Sequence, residues 1–294
     1  MNHPLGANTW IWTSPLTDER LAELAPRIRA WGFSTIELPI ENLGDWDPIR
    51  TKDLLQQLGL SATTCLVMPP GRDLVTDNRM VVIGTQEYLK GCLDMAAAIG
   101  ATVVAGPAYA PVGRTWLMSA DERKTTITRL VQSLKPVVAY AEKRQVAIGI
   151  EPLNRYETSL INTVEQAMHI VESIDSPMCG VALDTFHMNI EEKDPHAAIR
   201  SAEGRIAHVQ VCGNDRGAPG NDHTDWSSIL DALAAAEYRG PLCIESFSAG
   251  NMSLARAASI WRPLERSQDA IATDGLAFLT DLQARRESQR SATR

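Results

Sequence analysis

The 294 residues carry 36 acidic and 28 basic side chains, a formal net charge of −8, which argues against a general attraction to nucleic acid or to an anionic membrane. A hydrophobic fraction of 44% allows a sizeable core, and no uninterrupted apolar run approaches the ~20 residues of a membrane span. The five cysteines are scattered and form no CxxC pair, which reads as reduced core thiols in a cytoplasmic protein. No basic segment followed by an apolar one opens the chain, so no signal peptide is expected.

In chain order, short apolar runs rich in β-branched residues alternate with amphipathic segments. Residues 6–12 read as a first strand. Thr17 is a ready N-cap for a helix to about Ala30, and Gly32 ends it. Residues 35–38 predict a second strand. A helix through Leu54, Leu55 and Leu58 closes at Gly59, and residues 60–67 predict a third strand. A long helix over 79–99 stops at Gly100, before a fourth strand at 102–105. Ala120-Asp121-Glu122-Arg123 opens a helix to about Arg144, with acids at its start and bases at its end, as the macrodipole favours. Strands follow at 146–151, 181–184, 206–211 and 242–245. The helices between them open at 162–165 and at Asp225-Trp226. The remainder is expected to be helical to about Leu282, and residues 285–294 to form a frayed polar tail.

Eight strands alternating with helices, one unit per ~30–40 residues, is the pattern of a (β/α)8 TIM barrel, here one domain over residues 1–294. A doubly wound sheet would need a Gly-rich phosphate turn after its first strand, and none is present. The loops at 69–78 and 105–116 read as parts of the active face, not as domain boundaries.

The later strands share one ending. The run at 146–151 finishes on Glu151, and Pro152 cannot continue the ladder. The next run finishes on Asp184, the last on Glu245, and the strand between them carries Gln210. Barrel strand ends gather on the catalytic face. One such acid is explained as well by an isolated ion pair or a helix cap. The set of three carboxylates and an amide oxygen favours a hard divalent cation, whereas a site rich in Cys and His would indicate zinc. Glu37, in the second strand, reads as a buried partner for an Arg or Lys.

Three stretches carry a resemblance. Residues 6–18, the motif Glu151-Pro152-Leu153-Asn154-Arg155-Tyr156-Glu157-Thr158, and residues 183–192 with Asp184 and His187 resemble the D-tagatose/D-psicose 3-epimerase family, within the xylose-isomerase-like barrel superfamily. The similarity runs along essentially the whole chain. It implies a metal-dependent ketose 3-epimerase, with Mn²⁺ as the expected ion and Mg²⁺ or Co²⁺ as alternatives. Glu151 and Glu245 match the family's acid/base pair, which also binds metal, and Asp184 matches a metal ligand. Glu157, His187 and Arg216 match residues that bind substrate. Trp10, Trp12 and Trp116 are candidates for an apolar wall against a sugar face, with Trp116 assigned to the substrate.

One position departs from that family. Its metal-binding histidine is Gln210 here, and His208-Val209-Gln210 resembles instead the hydroxypyruvate isomerase branch, where a glutamine fills the metal site. Gln210 is the expected ligand. His208 is its competitor, ~6–7 Å further down the same strand face.

The chemistry expected is proton removal beside a cation-polarised ketone. An enediolate forms, and the proton returns from the opposite face. Return to the neighbouring carbon would make the same site an aldose–ketose or hydroxypyruvate-type isomerase. An apurinic endonuclease on this barrel would need more than six histidines and a basic groove. A non-catalytic sugar-binding subunit is the remaining competitor. A small-molecule sugar is therefore the expected partner, with neither nucleic acid nor membrane. The stretch carrying Ile260, Trp261, Leu264 and Leu276 is a candidate homo-oligomer face.

Overall fold

The computed structural model describes residues 2–248 and 252–292. Its strands are β1 (Leu5–Asn8), β2 (Thr35–Ile40), β3 (Ser61–Leu66), β4 (Val103–Gly106), β5 (Ala147–Ile150), β6 (Cys179–Asp184), β7 (Ile206–Val211) and β8 (Leu242–Ile244). They pair in parallel, in sequence order, and β8 returns to β1 to close the barrel. The helices are α1 (Asp18–Trp31), α2 (Pro48–Leu58), α3 (Arg79–Ile99), α4 (Ala120–Arg144), α5 (Val164–Ile174), α6 (Thr185–Glu191), α7 (Pro195–Ser201), α8 (Trp226–Ala235), α9 (Met252–Ala257) and α10 (Gln268–Ala292). This is the (β/α)8 TIM barrel that the strand spacing predicts.

Local chemistry sets the boundaries. Thr17 accepts the Arg20 N–H at 3.3 Å and starts α1. Ser119 and Glu122 form a reciprocal capping box that starts α4. β1 stops at Asn8, earlier than the expected Trp12. The Asn8 side chain accepts the Trp10 N–H at 2.9 Å and turns the chain into a 3-10 turn. Such side-chain bonds compete with the ladder.

The sequence reading leaves out two short helices. Asp184 caps α6 by accepting the Phe186 N–H at 2.7 Å, and Asp194 caps α7 by accepting the Ala197 N–H at 2.9 Å. The C-terminal part is not one continuous helix: α9 and α10 are separated by 258–267, which contains Pro263. The polar stretch from Arg285, read as a frayed tail, is helical as far as Ala292, while residues 293–294 lie outside the described residues. Arg286 ties it down by bonding the Ser227 carbonyl at 2.8 Å and pairing with Asp231. Of the candidate oligomer face, Ile260 is buried, Leu264 and Leu276 are half-buried, and Trp261 is exposed.

Small residues let the strands converge below the site. Ala105, Ala182 and Val103 pack together inside the barrel with Ala207 against them. Gly106 ends β4 at φ +142, and an added Cβ would lie 2.4 Å from the Leu66 carbonyl oxygen. Its own carbonyl accepts the Glu151 N–H at 3.1 Å. Gly106→Ala therefore meets both a backbone clash and a conformation that L residues avoid, and should cost roughly 1–3 kcal/mol. Urea denaturation checks this; an unchanged midpoint would count against the close approach.

Candidate active site

β6 and β7 set Asp184 beside Gln210, and Gln210 is in turn beside Cys243 on β8. Glu151 and Glu245 come one residue after their strands. Each N–H still bonds to the preceding strand, Glu245 to the Val211 carbonyl at 3.2 Å. Tyr109 adds a hydroxyl bond to the Glu151 carbonyl at 2.9 Å. All four expected ligands are buried.

The structure brings them together. Glu151, Asp184 and His187 each offer a ligand atom within 4.8 Å of the others. Arg216 bridges Asp184 and Glu245, with its Nη2 2.6 Å from Glu245 Oε2. Gln210 Nε2 donates to Glu245 Oε1 at 2.7 Å.

Arg216 reaches this position from the loop after β7. Its φ is +73, a left-handed backbone uncommon for a residue with a Cβ. Its N–H bonds the Gly213 carbonyl at 2.9 Å, and its carbonyl accepts Ser246 Oγ at 2.5 Å. The guanidinium lies between the rings of Phe186 and Phe247, at 4.9 and 4.8 Å from their centroids.

Beneath the acids lies a second polar layer. Glu37 is fully buried, and its partner is His208 rather than an Arg or Lys: His208 Nε2 lies against Glu37 Oε1. Thr63 Oγ1 donates to the same oxygen at 3.1 Å. Glu37 Oε2 accepts Gln210 Nε2 at 2.9 Å and Asn8 Nδ2 at 2.8 Å. Asn8 also reaches Glu245 Oε1 at 3.3 Å. The burial expected of Glu37 is the sequence signal for this layer, and Asn8 and Thr63 carry none.

The electrostatics divide the carboxylates. Burial, then the Asp184 charge, pushes Glu151 well above the usual carboxylate range. Burial also drives Glu245 up against the pull of Arg216, and the charges of Asp184 and Glu151 add to the rise. Asp184 is held low: burial would raise it, but the charge of Arg216 and the nearby His187 overcome that. Burial lowers His187 and favours its neutral ring. Its Nδ1 accepts the Asn154 backbone N–H at 3.1 Å, so Nε2 carries the proton, 3.7 Å from Glu151 Oε1. Glu157 accepts the Asn154 side-chain amide at 2.8 Å and so steadies the residue that holds His187.

These groups open onto a cleft with room for about 80 Å³ of water-sized volume. Glu151, Glu157, His187, Arg216 and Glu245 line its polar end; Trp10, Val67, Leu153, Phe247, Leu254 and Ala258 are among its apolar lining. Trp12 stacks on Trp31 at 5.7 Å instead. Trp116, assigned to the substrate from sequence, is not part of this lining: its ring lies under the Arg114 guanidinium at 4.2 Å. Trp116→Ala should leave KM for the substrate unchanged, whereas Trp10→Ala should raise it by up to roughly tenfold. Steady-state kinetics on both variants, with a larger KM effect for Trp116→Ala, would count against this placement.

The donor set fits a hard divalent cation. Three carboxylates face one guanidinium, which leaves two negative charges to neutralise if all ionise. Gln210 Oε1 is buried with no hydrogen-bond partner, and such an orphan costs about 1–3 kcal/mol unless something binds it.

A family model, the xylose isomerase-like TIM barrel, matches residues 25–282. The chain belongs to the xylose isomerase-like TIM barrel family. That family is enzymatic. A relative from Synechocystis sp., named a probable ketose 3-epimerase, is 33% identical over 93% of this chain and 94% of its own length. An L-ribulose 3-epimerase structure superposes with a TM-score of 0.90 at 29% identity, over 99% of this chain and 98% of the other. A D-allulose 3-epimerase from Methylomonas sp., solved in complex with D-allulose, gives 0.86 at 27% identity, over 95% and 97%. No helix among the described residues of this family member is long and apolar enough to cross a membrane.

Proposed function

We propose that the chain is a divalent-cation-dependent ketose 3-epimerase working through an enediolate. One observation carries the reading: two buried carboxyls, Glu151 and Glu245, both raised well above their ordinary range, meet in one cleft through Asp184 and Arg216. Two such carboxyls on one cleft can divide the work of removing and returning a proton. The relatives' names and the D-allulose complex of the Methylomonas protein support a free ketose as substrate.

Glu151, Asp184, Gln210 and Glu245 would hold the cation, which would polarise the ketone; we assign Mn²⁺, with Mg²⁺ and Co²⁺ as alternatives. One glutamate removes the C3 proton and the other delivers a proton to the opposite face. The His187 Nε2–H and the Arg216 guanidinium bind and orient substrate oxygens and stabilise negative charge on them. The apolar lining excludes water from the intermediate. Five free, buried cysteines support a reducing, cytoplasmic setting. Gln210 in place of histidine supports a second reading, an aldose–ketose or hydroxypyruvate-type isomerase on the same site.

The test is exchange of solvent deuterium into a panel of ketoses with Mn²⁺ present, followed by NMR. Deuterium should enter at C3. Label at C1 alone would select the isomerase, and no exchange into any ketose, aldose or 2-keto acid would defeat both.

A further inference from the structure

The second polar layer has an arithmetic that assigns Glu37 a task. A carboxylate offers about four lone-pair sites. Glu37 has four close partners: His208 and Thr63 on one oxygen, Gln210 and Asn8 on the other. Both oxygens are engaged, and Glu37 is not among the residues that line the cleft. The Gln210 amide is arranged in a complementary way. Both N–H groups are used, one on Glu37 and one on Glu245, while Oε1 has no partner. Turning the amide over would set its oxygen against two carboxylate oxygens and leave both N–H groups unpaired.

We propose that Glu37 is a positioning residue for the cation site, holding the NH₂ end of Gln210 so that its oxygen is the atom presented as ligand. His208 Nε2 sits against Glu37 Oε1 and is placed there as its neighbour, not as a ligand. Asn8 braces Glu37 against Glu245. The cation then meets four oxygen donors and no nitrogen, a set suited to hard ions. This rests on the cation-dependent reading above.

The test uses Mn²⁺ alone as the probe. Binding is measured by the loss of the free-ion EPR signal, and the ligand atoms by nitrogen coupling in pulsed EPR. Glu37→Gln keeps the shape and removes the charge, and should weaken Mn²⁺ by about 10–100-fold. In a Gln210→Ala background the same change should have little further effect, because Glu37 acts through the amide. Wild-type Mn²⁺ should show no directly bonded nitrogen, and Gln210→His should introduce one. Equal weakening by Glu37→Gln in both backgrounds would overturn the proposal, as would nitrogen coupling in the wild type or unchanged affinity in Glu37→Gln. Failure of the wild type to bind Mn²⁺ at all would instead overturn the cation-dependent reading. Circular dichroism on each variant confirms that the comparison is between folded proteins.

Discussion

Glu151→Gln should lower kcat for ketose epimerisation by roughly 10²–10⁴-fold, the usual span for losing a general acid or base, while the protein stays folded and melts no lower than the wild type. The two halves of this expectation have one cause. Glu151 is buried among like charges, and the fold disfavours its ionised form. The amide has the same shape and removes that crowding, so stability should be unchanged or higher. Its side chain has few other obligations, with His187 Nε2 3.7 Å away. Glu245→Gln should lose turnover to a similar extent but melt lower, because Glu245 also bonds Arg216 at 2.6 Å and Gln210 at 2.7 Å. Deuterium exchange at C3 and thermal denaturation, run on both variants, check the pair. Wild-type exchange in either one would refute its role.

Glu37→Ala should cost about 3–5 kcal/mol, because it strips a buried acceptor from several buried donors at once. His208 would keep a fully buried ring with no acid beside it, and Asn8, Thr63 and Gln210 would each lose an acceptor. Unsatisfied buried donors are what make such truncations expensive. The loss belongs to the whole barrel, since the four partners come from strands β1, β3 and β7. Urea denaturation of Glu37→Ala beside wild type measures it. A loss under about 1 kcal/mol would show that the layer is dispensable to the fold.

Much of the barrel is legible in the chain. The bounds of α3 and α4 follow directly from Gly100 and from the acidic start and basic end at 120–144. Strand β7 is predicted at its observed limits. These are local signals, carried by caps, periodicity and turn residues within a few positions. The three strand-end acids are legible for the same reason, since each closes its own apolar run, and Gln210 lies on the strand between the last two. Trp116 lies under Arg114, a contact no local pattern in the chain announces.

The order of strands, the helices between them and the identity of the strand-end acids were thus determined by the sequence itself, because short-range geometry and burial dictate them. Only the tertiary structure decided that Arg216 enters between Asp184 and Glu245, and that Glu37 joins partners 29 and 173 residues away in sequence. Closing the barrel brings β2 across from β7, and no local pattern encodes which buried donor will meet which buried acceptor.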